Sequence, residues 1–282
     1  MRLSRRARAL LRIAVGLGLA FIYLPLLVIG IYAFNSSKIL EWPPPGLTLD
    51  WFAKAAETDA AREAFVTSIK AGIAATAIAL LLGTLASIAV ARHRFFGRET
   101  ISFLVILPIA LPGIVTGVAL SNTFTQVLGI PLSLFTVIVG HATFCIVVVY
   151  NNAVARLRRL SGSFEEASAD LGAHTWQTFR YVTLPGMRSA LIAGGLLAFA
   201  LSFDEIIVTN FTIGAGEQTL PIWIFSNLFR PQQLPVVNVV ALVMILLSII
   251  PVYLAHRLGG EEIGTPGRGK GGGVETEATA IP

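Results

Sequence analysis

Between Glu99 and Arg156 the chain carries no Asp, Glu, Lys or Arg. That interval has room for two helices crossing a bilayer at roughly 20 residues each. It also lacks the charges with which a soluble fold wets its surface. Further uncharged runs cover Ile13–Ser37, Ala71–Ala91 and Pro231–Ala255, and another begins at Ser189 and stops at the acidic pair Asp204–Glu205. Charged residues make up only 13% of the chain, about half the usual share in a soluble domain. The pattern predicts an all-α, polytopic membrane protein with six transmembrane helices. They are expected at about residues 10–34, 65–91, 101–127, 132–155, 187–211 and 236–257.

The net charge of +5 would suit a nucleic-acid surface if it were clustered on one face, but its placement follows topology instead. Arg2, Arg5, Arg6, Arg8 and Arg12 precede the first span; Arg92, Arg94 and Arg98 follow the second. Arg156, Arg158, Arg159, Arg180 and Arg188 separate the fourth and fifth, and Arg257, Arg268 and Lys270 follow the sixth. The opposite connections hold Lys38, Lys54, Arg62, Lys70 and Arg230. An asymmetry of about three to one puts the arginine-rich side, and both termini, in the cytoplasm. No nucleic-acid partner is expected. The single Cys145 can form no internal disulfide and reads as a small packing residue.

Residues 1–9 form a basic cytoplasmic end. The apolar run after it is too long for a cleaved leader, so a retained first span is expected. Asn35–Glu63 contains the stiff turn Trp42-Pro43-Pro44-Pro45-Gly46, with Trp42, Trp51 and Phe52 as candidate anchors at the outer interface. The second span is rich in Gly and Ala (Gly72, Ala74, Ala75, Gly83 and Ala86), which lets helices approach closely and predicts an interior position. Pro108 and Pro112 should bend the third span, as a kink lining a pathway or as a packing kink. Gly129-Ile130-Pro131 makes the next outer turn. His141, inside the fourth span, is either a functional ionisable group or a neutral ring hydrogen-bonded to a neighbouring helix. Leu220–Phe229 reads as a short interfacial helix. The tail, residues 258–282, is Gly-rich and polar and is expected to be disordered. Its Gly264–Gly271 segment approaches a phosphate-binding loop, but Gly271 stands where Ser or Thr is required, so ATP binding by this chain is not expected.

One soluble-looking island interrupts the apolar segments, in the loop 156–186. Ser163 and Glu166 are spaced as a capping box, Glu165, Glu166 and Asp170 favour the early turns of a helix, and Gly172 is its natural stop. A second short helix over about Thr175–Val182 presents Trp176 and Phe179, and Leu184-Pro185 should end it. Two helices this short are unstable alone, so they fold back on their own bundle or insert into a partner. Phe164, Glu165, Asp170, Trp176 and Phe179 are the candidate contacts.

Glu166-Ala167-Ser168, then Gly172, then Val182, Leu184 and Pro185 resemble the EAA motif on the cytoplasmic loop of membrane subunits of ATP-binding-cassette importers. Ser168 stands for the motif's second Ala and Val182 for its Ile. Phe34-Asn35-Ser36-Ser37, Gly140–Cys145, Leu201–Glu205 and Leu220-Pro221 together resemble the second permease of spermidine/putrescine importers. The resemblance implies a type I importer (MetI-like) fold in a bacterial inner membrane and a permease that is not itself an enzyme. It also implies a homologous second permease, two ATPase subunits carrying the ATP and magnesium, and an extracytoplasmic substrate-binding protein. No cofactor, metal site or catalytic residue is expected on this chain.

Asp204 and Glu205 should lie about 24 Å beyond Arg188 on one continuous helix, pointing about 100° apart. They either line a cation pathway or pair with Lys70 or a partner's base. Rival readings are the same importer class for another small solute, and a stand-alone secondary transporter. An internal repeat with discontinuous helices would mark the latter.

Overall fold

A computed structural model describes residues 4–39 and 41–260. The expectations for the first three residues and for most of the Gly-rich tail lie outside the described residues. In chain order the helices are α1 (Arg5–Ala33), α2 (Asp50–Glu57), α3 (Asp59–Arg92), α4 (Arg98–Ala110), α5 (Gly113–Asn122), α6 (Leu134–Arg159), α7 (Ser163–Asp170), α8 (Thr175–Thr178), α9 (Leu184–Phe203), α10 (Ile207–Thr212), α11 (Leu220–Asn227) and α12 (Leu234–Gly260). π turns extend α5 over Thr123–Val127 and join α8 to α9 over Phe179–Thr183. An isolated antiparallel bridge pairs Asn35 with Leu47 across the proline-rich turn.

Five helices are long and apolar enough to cross a membrane: α1, α3, α6, the joined Thr175–Phe203 unit and α12. The bent pair α4–α5 makes a sixth if it counts as one span. Arginines close the ends of α3 and α6 on the side where α4 begins, so α4–α5 has to cross for the charge asymmetry to hold.

The interior is built from α3, α6 and α9. Ala71, Ala75, Ala79, Gly83 and Ser87 recur every fourth residue along α3 and are all buried, as the small-residue reading predicted. The spacing puts them on one face, one above the next. A Cβ on Gly83 would lie 3.1 Å from both the Ile146 carbonyl oxygen and Val149 Cβ, so any side chain here would have to push α6 back. One apolar cluster joins Ala75 and Ala79 to Phe144, Val149 and Ala198, and a second gathers Trp51, Phe203, Trp223 and Val237 towards α12.

The structure corrects the sequence reading at several interruptions. The third span is not one kinked helix over 101–127: α4 and α5 meet at 105°. Leu111 is extended (ψ 143°) and Pro112 caps α5. Proline disfavours the helical region for the residue before it, so the chain breaks at Leu111; Pro108 stays inside α4.

The fifth span starts at Thr175, not 187, and its helix stops at Phe203 instead of running to 211. Leu184-Pro185 does not end the second island helix. In an α-helix the Pro185 ring would meet the Tyr181 carbonyl. The π turn, closed by Leu184 N–H to the Phe179 oxygen, widens the backbone there and lets the helix run on.

The segment around Leu220 is not interfacial: Leu220, Pro221, Ile222 and Trp223 are buried, and the Leu220 amide donates to Ser68 Oγ at 2.8 Å. Trp51 is likewise no outer anchor but a buried residue whose Nε1–H donates to the Asn35 carbonyl at 2.8 Å. Trp42 is exposed.

Gly83→Val is expected to force α3 and α6 apart at a cost of about 1–3 kcal/mol. It should lower the melting temperature in detergent, while Leu82→Ala on the exposed side of α3 leaves it unchanged. A Gly83→Val protein that melts like the parent would show that the helices are not in contact there.

Candidate functional site

Two places carry polar chemistry, one at the cytoplasmic end of the bundle and one at the interruption after α9.

At the cytoplasmic end, α6 ends in Arg156, Arg158 and Arg159, which suits a helix C-terminus by charge. Arg156 Nε donates to the Gly186 carbonyl at 2.8 Å and ties the end of α6 to the start of α9. The island between them is two helices around a glycine joint. Gly172 has φ +83°. Its amide donates to the Ala169 oxygen and the Ala173 amide to the Ser168 oxygen, at 2.9 and 3.1 Å. These two bonds form a Schellman closure, as the sequence predicted for Gly172. The predicted capping box is absent. Gly162 occupies the N-cap and Ser163 is already helical, with its hydroxyl hydrogen-bonded to that of Ser161, so Glu166 is free of any capping task.

No residue of α7 is buried. Phe164, Leu171, Trp176 and Tyr181 are exposed at 63%, 89%, 62% and 72%, a concentration of apolar and aromatic surface at the arginine-rich end. Glu166 and Asp170 are exposed with them. Phe179 is half-buried, its ring 5.4 Å from that of Trp176. Ser168, where the motif has Ala, hydrogen-bonds Thr178 at 3.1 Å and so links α7 to α8. Val182 and Leu184 are half-buried and Pro185 exposed at the root of α9.

Glu165 differs from the other candidate contacts because it faces inward. Its Oε2 lies 3.0 Å from Arg92 Nε, and its Oε1 accepts from Arg92 Nε at 3.2 Å and from Thr183 Oγ at 3.0 Å. Sequence reasoning missed Arg92 and Thr183: Arg92 read only as a topology charge, and Thr183 lay inside the motif's unspecified positions.

At the second place the pair Asp204–Glu205 sits at the break between α9 and α10, not on a continuous helix. Glu205 Oε1 accepts from the Val208 amide at 2.9 Å, and the Glu205 carbonyl accepts from Thr209 Oγ1 at 2.8 Å. Glu205 therefore closes the start of α10. Neither acid pairs with Lys70, which lines a separate pocket with Glu217 and Arg62.

His141, 1% exposed, spans the break: Nδ1 lies 2.7 Å from Ser202 Oγ and Nε2 2.8 Å from Thr209 Oγ1. Thr209 spends its one proton on the Glu205 carbonyl, so Nε2 must donate and Nδ1 must accept from Ser202. That is the neutral Nε2–H ring, hydrogen-bonded to a neighbouring helix. Pro112 and Gly113 stand beside the same region, since a Cβ on Gly113 would be 3.4 Å from Ile207. The two helix breaks thus adjoin. Pro108 and Pro112 do not line the apolar groove beside Asp204.

Asp204 has no structural task. As the C-cap of α9 its charge opposes the helix dipole, and its carboxylate takes no hydrogen bond or ion pair among the described residues. It is the one acidic residue lining an apolar groove of about 960 Å³ between α1, α11 and α12, with Tyr23, Phe225, Met244, Tyr253 and His256 among the others. Among the described residues no group of His, Cys, Asp and Glu could hold a metal.

Residues 79–259 match the family described as "Binding-protein-dependent transport system inner membrane component". The "Putrescine transport system permease protein PotI" of Escherichia coli (strain K12) is 34% identical over 86% of this chain and 89% of its own. The "Spermidine/putrescine transport system permease protein PotC" of Haemophilus influenzae is 32% identical over 84% and 91%. A "Putative 2-aminoethylphosphonate transport system permease protein PhnV" of Salmonella paratyphi A is 29% identical over 88% and 94%. Among solved structures, a bacterial ABC transporter "involved in the import of the acidic polysaccharide alginate" shares the fold with a TM-score of 0.67. It is 18% identical and covers 94% of this chain and all of that one. The MetNI methionine ABC transporter gives 0.59 at 16% identity, over 76% and 98%.

His141→Leu is expected to leave the buried Ser202 hydroxyl without its acceptor and Thr209 without its donor. A cost of about 1–3 kcal/mol should appear as a lower melting temperature in detergent, with Ser202→Ala milder. Equal stability of His141→Leu and parent would show that the ring does not bridge the break.

Proposed function

Because the chain belongs to the family of binding-protein-dependent transport system inner membrane components, we propose that it is a permease subunit of an ATP-binding-cassette importer and that its cargo is a polyamine. It supplies half of a translocation pathway in a bacterial inner membrane. A homologous second permease supplies the other half, an extracytoplasmic binding protein delivers the cargo, and two ATPase subunits carry the ATP and magnesium. This chain does no covalent chemistry. The observation that carries the reading is the island α7–α8: EAA spacing, the short exposed helix α7 hinged at Gly172 to the leading end of the α8–α9 unit, and Phe164, Leu171, Trp176 and Tyr181 turned outward at the cytoplasmic end. Burying these side chains against an ATPase would remove them from water. Glu166, exposed beside them and free of any cap, is available to a basic residue of that partner.

The cargo reading is supported by the putrescine and spermidine/putrescine permeases among the relatives and by Asp204. A carboxylate that costs stability at the end of α9 has its use in meeting a cation at the groove. Glu205, committed to α10, contributes no such charge. The phosphonate permease relative favours a second reading, an aminophosphonate cargo whose amine would meet the same Asp204. Pro112 and His141 act on the pathway indirectly, through the shape of the two breaks, whereas Pro108 lies inside α4.

Affinity purification of this chain from its own membranes should recover an ATPase subunit; recovery with none would overturn the importer reading. In uptake assays, labelled putrescine or spermidine should be taken up and a sugar, an amino acid and 2-aminoethylphosphonate should not. Asp204→Asn should raise KM for the polyamine about fivefold, as for loss of an ion pair worth ~1 kcal/mol. Phosphonate uptake alone would move the cargo to the second reading. Gly172→Val, which cannot hold φ +83° without strain, should cut uptake while leaving the amount of assembled complex unchanged; unaltered uptake would speak against the island's role.

A further inference from the structure

Glu165 ties the island to the transmembrane bundle from two sides. Glu165 takes Arg92 Nε at 3.0 Å on one oxygen and Thr183 Oγ at 3.0 Å on the other. Arg92 is the last residue of α3 and Thr183 stands one residue before α9. Arg92 also donates from Nη2 to the Leu160 carbonyl, beyond the end of α6, at 3.4 Å. One carboxylate on α7 is thereby joined to the cytoplasmic ends of three spanning helices. Across the chain the Arg92–Glu165 contact closes 73 residues.

The environment makes this pair different from an ordinary surface contact. The Arg92 and Glu165 side chains are 19% and 23% exposed, whereas those of the Arg62–Asp59 pair are 67% and 77% exposed. Exposed pairs are screened and contribute little. A pair largely out of water attracts more strongly, and losing one member leaves the other charge uncompensated. Glu165 is also satisfied from two directions, by a guanidinium and a hydroxyl, which fixes its rotamer.

We propose that Glu165 is a positioning residue that hands displacement of the island to α3 as well as to α9, through Arg92. This rests on the reading of α7–α8 as the ATPase-docking element. The covalent chain joins the island to α6 and α9; this pair adds a direct polar link to α3, which otherwise follows only through its packing on those two helices. The consequence reaches the far side of the bundle, because α3 runs the length of the molecule and its Ser68 holds the first amide of α11, which lines the groove with Asp204. The adjacent acids divide the work, Glu166 facing the partner and Glu165 the bundle.

The test uses the whole importer, purified with its permease partner, ATPase and binding protein and reconstituted in liposomes. Polyamine uptake and ATP hydrolysis are measured together. Glu165→Gln and Arg92→Gln are expected to lower uptake per ATP about fivefold, the lower end of energetic coupling between sites, with the ATPase still bound. Thr183→Val, which removes the hydroxyl and keeps the shape, should lower it less. The reversed pair, Arg92→Glu with Glu165→Arg, should restore most of the ratio, which a merely structural role for either residue does not predict. An unchanged ratio in Glu165→Gln and Thr183→Val with ATPase retained overturns the proposal. So does a reversed pair no better than the single variants. If the parent complex itself carries no ATPase, the docking reading fails instead.

Discussion

Inside hydrocarbon a backbone amide or carbonyl without a partner costs several kcal/mol, and much of this molecule follows from how that requirement is met where its helices are interrupted. A continuous span meets it automatically. The chain breaks within a span at Leu111-Pro112, widens at the root of α9 over Phe179–Thr183 and breaks within a span again at Asp204–Glu205; each departure has its own remedy. Proline brings no amide to satisfy at the first. The second keeps bonding by shifting its register to i→i+5. The third enlists side chains: Glu205 accepts the Val208 amide, Thr209 covers the Glu205 carbonyl, and His141 holds Ser202 and Thr209 from either side. Irregular backbone at this depth is affordable only where protein surrounds it, which is why His141 is among the most deeply buried residues.

Two acidic pairs follow one logic. In Glu165–Glu166 and Asp204–Glu205 one carboxylate is fully engaged by its own chain and its neighbour is left open. Adjacent residues cannot share a direction in helical or turn backbone, so a pair offers one side chain for structure and one for a partner. The free members, Glu166 and Asp204, sit at the cytoplasmic island and at the groove, and the engaged members hold the backbone that presents them.

The spanning segments, the interior place of α3 and the Gly172 stop were legible because each depends on the kind of residue present at one place. Exclusion of charge is local, and so is the need for a left-handed glycine. The breaks were less legible. Asp204–Glu205 looked like the outer half of a helix because hydropathy stays high through Phe211 and carries no information on hydrogen-bond continuity. The burial of Leu220–Trp223 depends on Ser68, and the inward turn of Glu165 on Arg92. These partners are remote in sequence, and an acidic residue beside an EAA motif reads as surface until its partner is known. Ser163 failed as a cap for a local reason: Ser161 claimed its hydroxyl.

The stripe of small residues on α3 also has a mechanical side. Ala71, Ala75, Ala79, Gly83 and Ser87 have almost no rotamers, so the surface they present to α6 and α9 has few knobs to disengage. The knobs come from the other side: the Phe199 ring of α9 seats against Gly72 and Val149 of α6 against Gly83. A shift of α3 along its axis would have to lift those side chains out of their notches. The small residues that bring the helices together therefore also index their register, as a detent does.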